Sequence, residues 1–107
     1  MSTVSIRKTH GEDYASIKTV VDQVIADLGG LEDIIKPGYK VIIKPNLVAC
    51  PTERLSGGVT RWEVCLAIYE AAKAVGGVPV IAESSAAGAD TELTIAKCGY
   101  QELRDKG

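Results

Sequence analysis

Lys40-Val-Ile-Ile-Lys-Pro-Asn46 is the stretch on which the fold turns. Three consecutive apolar residues, a valine and two isoleucines, predict a short strand buried on both faces, the habit of parallel strands covered by helices. Pro45 ends that strand, because proline supplies no backbone N–H for another rung of the ladder. Asn46 is thereby presented at the strand's carboxyl end, the place where ligands collect in open α/β sheets.

Upstream of this stretch, the Pro-Gly pair of Lys36-Pro-Gly-Tyr39 predicts a turn that feeds the strand. Residues 31–35 are too short to stand alone and are expected to form one helical turn, packing Leu31, Ile34 and Ile35 over the sheet edge. From Tyr14 onward, Ile17, Val20, Val21, Val24, Ile25 and Leu28 recur at helical spacing and make one apolar stripe. Asp13 fits the N-cap of that helix and Gly29-Gly30 its stop. Residues 4–9 alternate apolar and polar, which predicts a first strand near a sheet edge. His10-Gly-Glu-Asp13 makes the turn between them.

Downstream, residues 47–59 show no periodicity and contain Pro51, Gly57 and Gly58. A loop of that length in a compact domain is usually functional or mobile. Thr60-Arg-Trp-Glu63 has the form of a capping box and predicts a helix start, with Val64, Ile68, Ala71, Ala72 and Val75 as the buried stripe and Cys65 beside it. Gly76-Gly77 ends the helix, and residues 78–82 form another buried strand with Pro79 near its start. Strand, helix and strand make a βαβ unit with a right-handed crossover. Residues 83–89 are small and polar, a loop at that strand's carboxyl end. Asp90 or Thr91 would cap a short helix through Lys97, closed by Gly99, and residues 100–106 would add a final helical turn. The fold class is therefore α/β: a small layered sheet with a parallel βαβ unit and helices packed on it. Residues 1–107 are read as a single α/β domain, the N-terminal portion of a longer protein, since the chain stops where the pattern would begin its next strand.

Composition narrows the function classes. With 46% hydrophobic and 24% charged residues the chain matches an ordinary globular domain rather than a disordered segment. A net charge of −2, with no run of lysine or arginine, argues against nucleic acid and against a membrane surface as partners. No signal peptide and no apolar run of transmembrane length is visible, and three widely spaced cysteines fit reduced thiols, so the cytoplasm is the expected compartment.

Chemistry is expected where the two strands end. If they run parallel and adjacent, Asn46 and the Glu83-Ser84-Ser85 loop emerge on the same side, and Thr60 lies there too. Gly57 and Gly58 precede a helix N-terminus whose free N–H groups favour an anion, although neither the P-loop pattern nor G-x-G-x-x-G is present. Lys44 either engages a substrate anion, pairs with Glu83 across the strand ends, or snorkels into water. Asn46 can donate and accept, or simply serve the turn after proline. Glu83 is a candidate general base or metal ligand, though one carboxylate with hydroxyl neighbours makes no site by itself, and Ser84 and Ser85 lack the glycines of a nucleophile elbow. His10 is expected in an exposed turn and Trp62 in packing. Cys50, Cys65 and Cys98 have no C-x-x-C spacing, so no metal site and no cofactor is expected within this segment.

Taken together, Gly29-Gly30-Leu31, Lys36-Pro37-Gly38, residues 41–46, Gly58 with Thr60, Gly76-Gly77 leading into residues 78–81, Glu83-Ser84-Ser85 and Cys98-Gly-Tyr100 resemble the amino-terminal part of the domain-of-unknown-function family 362. The resemblance covers nearly the whole chain. It implies a longer parent with the rest of an α/β domain and a ferredoxin-like, cluster-bearing C-terminal segment holding 4Fe–4S clusters, none of whose ligands is here. It also puts Lys44, Asn46, Thr60 and Glu83 at signature positions without fixing their roles. Two functions follow as expectations. One is a ligand-binding α/β domain of an iron–sulfur redox protein, in which Lys44 and Thr60 bind a small anionic ligand, Asn46 orients it and Glu83 handles a proton. The other is a non-catalytic scaffold that docks the cluster-bearing segment. An independent phosphate-handling enzyme has less support, because the usual phosphate loops are missing.

Overall fold

The computed structural model describes residues 2–46, 60–83 and 100–105. Their elements run α1 (Tyr14–Asp27), β1 (Lys40–Ile43), α2 (Trp62–Ala74), β2 (Val78–Ile81) and α3 (Gln101–Asp105). β1 and β2 pair in parallel, with Lys40 opposite Val78 and Ile43 opposite Ile81. This is the α/β unit that the sequence predicts, and its register brings the carboxyl ends of both strands out together.

The turn into β1 follows from two residues. Pro37 presets its φ and Gly38 sits at φ +87°, the pairing that a type II turn requires, and the Tyr39 N–H donates to the Lys36 carbonyl at 3.0 Å. α1 begins as expected at Asp13, whose carboxylate accepts the Ser16 N–H at 3.1 Å. It ends at Gly29 and Gly30, with φ +97° and +81°, a backbone region where glycine avoids the Cβ clash. α2 lies against both strands on one side and against α1 on another. The core gathers where these layers meet: Ile43, Trp62, Cys65 and Tyr100 are buried together, with Val41, Ile68 and Ile81 packed around them. The Trp62 ring stacks on Tyr14, centroids 6.3 Å apart and planes 14° apart, so it packs as expected.

Several expectations are corrected. The strands are buried on one face only: the pleat sends Ile43 and Pro79 inward, while Ile42 is 66% exposed and Val78 and Val80 also face out. The reason is that, among the described residues, helices cover one side of the sheet. Residues 4–9 form no strand. Asp27 captures them, accepting two bonds from the Arg7 guanidinium at 2.6 and 2.8 Å and one from Ser5 Oγ at 2.7 Å, and leaves Val4 and Ile6 exposed. Residues 31–35 make the expected helical turn, the Ile35 N–H donating to the Leu31 carbonyl at 2.8 Å, but it buries Ile35 and leaves Ile34 exposed. In α2 the buried arc comprises Trp62, Glu63, Cys65, Ala67 and Ala72, and the expected Val64, Ile68, Ala71 and Val75 are half-buried. A helix gripped between a sheet and a second helix needs small residues at closest approach, and Ala67 and Ala72 supply them. The predicted helix over residues 90–97 lies outside the described residues.

Candidate functional site at the strand ends

Just beyond the last paired rung, the Ala82 N–H donates to the Ile43 carbonyl at 3.0 Å and keeps the two chains side by side as they leave the sheet. Lys44 and Glu83 follow, and their charged ends meet at 3.1 Å. The pair is unequal. The Glu83 side chain is only 8% exposed, whereas that of Lys44 is 70% exposed. Of the three roles open to Lys44, pairing with Glu83 and reaching into water are both realised. A nearly buried carboxylate costs free energy unless a cation or donor faces it, and Lys44 supplies one from the solvent side.

Asn46 and Thr60, thirteen residues of sequence between them, are tied to each other. The Asn46 N–H donates to Thr60 Oγ1 at 3.0 Å, and the Thr60 N–H donates to the Asn46 carbonyl at 2.8 Å. This overturns the capping box. The residue that caps α2 is Arg61, in extended conformation and with no side-chain cap bond, because the Thr60 hydroxyl is engaged with Asn46. The Thr60 carbonyl in turn accepts the Tyr100 hydroxyl, which also touches Cys65 Sγ at 3.4 Å. Burial pushes the Cys65 thiol up from its ordinary value, an effect that the Tyr100 hydroxyl partly offsets.

A second ion pair at the same helix start was not legible from residue spacing. Glu63 is 3% exposed, and the Arg61 guanidinium bonds its two oxygens at 3.1 and 3.4 Å. The same guanidinium reaches the Glu12 carbonyl at 2.9 Å and so joins the first turn of α2 to the approach of α1. The two residues are two apart, a spacing that does not meet on a helix, and they meet here because Arg61 lies outside it. A carboxylate in the first turn also complements the helix dipole. Among the described residues the strand-end region therefore carries the Lys44–Glu83 and Arg61–Glu63 pairs, the latter guanidinium also lying 3.9 Å from the Glu12 carboxylate, with Asn46 and Thr60 between the segments that hold them.

Of the residues predicted for the site, the structure brings Lys44 to Glu83 and Asn46 to Thr60. Gly57, Gly58, Ser84 and Ser85 lie outside the described residues, as do Cys50 and Cys98. No group of three or more His, Cys, Asp or Glu side chains that could hold a metal ion occurs among the described residues. Cys65, buried and bonded to Tyr100 with its thiol pushed up, does not suit a cluster ligand. His10 is exposed, as expected, and it lines a groove of about 570 Å³ between residues 6–10 and α1 that contains none of the strand-end residues.

The sequence model of the family described as "Domain of unknown function (DUF362)" matches residues 41–107. A protein of Synechocystis sp. named as thylakoid-associated is 30% identical over 90 residues, covering 82% of this chain. The chain spans 27% of that relative's length. No solved structure matches. Among the described residues no helix is long and apolar enough to cross a membrane.

Proposed function

The chain belongs to the DUF362 family, whose function is unknown, and we propose from that premise that it supplies a small-anion site at the strand ends of a longer redox protein. The Lys44–Glu83 pair carries this reading. An exposed ammonium held at a strand end by a nearly buried carboxylate is a cation kept in place, and an incoming carboxylate or phosphate competes with Glu83 for it. The Asn46 side chain orients the ligand, the Thr60 hydroxyl donates to it, and Gly58, Ser84 and Ser85 complete the rim. Glu83, facing Lys44, is the group that would accept a proton and return it. The 4Fe–4S clusters that the family resemblance implies would supply electrons and would be held by cysteines outside this chain, in the cytoplasm. A non-catalytic docking role is favoured by one observation, the exposed apolar face of the sheet.

Titrating amide chemical shifts with small carboxylates and with phosphate tests the site. Asn46, Gly58, Thr60 and Glu83 should move together, and Lys44→Ala should weaken the response about tenfold, near the 1.4 kcal/mol expected when a charge-assisted bond is lost. Scattered shifts, or an unchanged response in the variant, would remove the ligand reading and leave the scaffold.

A further inference from the structure

The outer face of the sheet leaves apolar side chains in water. Ile42, Val78 and Val80 form one patch across β1 and β2, exposed by 66%, 54% and 39%. Parallel sheets are found with both faces covered, and two strands alone are marginal. We propose that this face is the seat of an amphipathic helix supplied by the remainder of the polypeptide in family members of the relative's length. The argument is independent of any ligand at the strand ends.

Two observations choose the occupant. The matched stretch is 27% of the relative's length, so most of that polypeptide is available to supply a second helical layer. A second copy of this chain fits poorly, because Ile42 is flanked on the outer side by Lys40 in β1 and by Lys44 just past its end, which stays 70% exposed even in its pair with Glu83. Stacking that row on itself in either direction sets lysine against lysine on both sides of the apolar patch, a like-charge contact that selects against the pairing. A helix with an apolar stripe and carboxylates at its borders meets neither obstacle.

Hydroxyl-radical footprinting read by mass spectrometry tests this on two proteins as they exist: the 107-residue chain and the full-length Synechocystis relative. Ile42, Val78 and Val80 should be oxidised readily in the 107-residue chain. The aligned positions in the relative, normalised for residue type, should be protected at least tenfold. Equal labelling in the two proteins overturns the proposal. So does protection in the 107-residue chain that grows with concentration alongside a doubled mass in sedimentation, since a second copy would then be the cover.

Discussion

Asp27 shows how much one exposed carboxylate can organise. Its hydrogen bonds from Arg7, and then from Ser5, hold its pKa down to about 2. The value in an unfolded chain is about 3.9, so the bonds contribute in full above that pH and are lost as pH falls through the folded value. Residues 2–9 should therefore detach from α1 between about pH 4 and pH 2, seen as a collapse of the Ser5 and Arg7 amide shifts toward random-coil positions. In Asp27→Asn the arm should be detached near neutral pH as well, and amide shifts that stay native in that variant would refute the attachment. The sequence did not disclose this contact, because alternation in residues 4–9 signals a strand and carries no information about an Arg–Asp pair twenty residues apart. Lys44–Glu83 was legible as one of three options, since both residues follow buried strands. Arg61–Glu63 was not, because the pattern that marks Glu63 assigns it to a cap and gives Arg61 no role.

At the level of elements, the places where backbone must turn sharply were the easiest to foresee. Gly29-Gly30, Pro37-Gly38 and Gly76-Gly77 all fall where the periodic pattern stops, and each pair contains a glycine with positive φ. Gly77 has a further duty. A Cβ there would lie 2.9 Å from Ile35 Cγ2, 3.0 Å from the Ala72 carbonyl oxygen and 3.2 Å from Val41 Cγ2. Gly77→Ala should cost about 1–3 kcal/mol through overpacking, measured as a lowered midpoint in urea with an unchanged slope. An unaltered midpoint would mean that the α2–β2 junction is looser than these distances state. What periodicity could not supply was the width of the buried arc on α2. That width depends on having α1 on one flank and the sheet on the other, a relation that no single segment encodes.

For the molecule as a whole, topology was legible and coverage was not. Parallel pairing of β1 and β2 followed from two apolar runs separated by a helix, whereas burial on both faces required a layer that the described residues do not contain. The reciprocal bonds between Asn46 and Thr60 bear on how this family can vary. They fix the strand end against the helix start, so that spacing has a direct tie between Asn46 and Thr60. Loop closure grows slowly with length, about 0.6 kcal/mol per doubling. A chain with residues 47–59 duplicated in tandem should then melt within about 1 kcal/mol of the original and keep the Asn46 and Thr60 amide shifts; a larger loss would show that the excursion itself braces the scaffold. On that footing the gap between strand end and helix start is set by Asn46 and Thr60 themselves, and a change in the number of residues between them leaves β1 and α2 where they are.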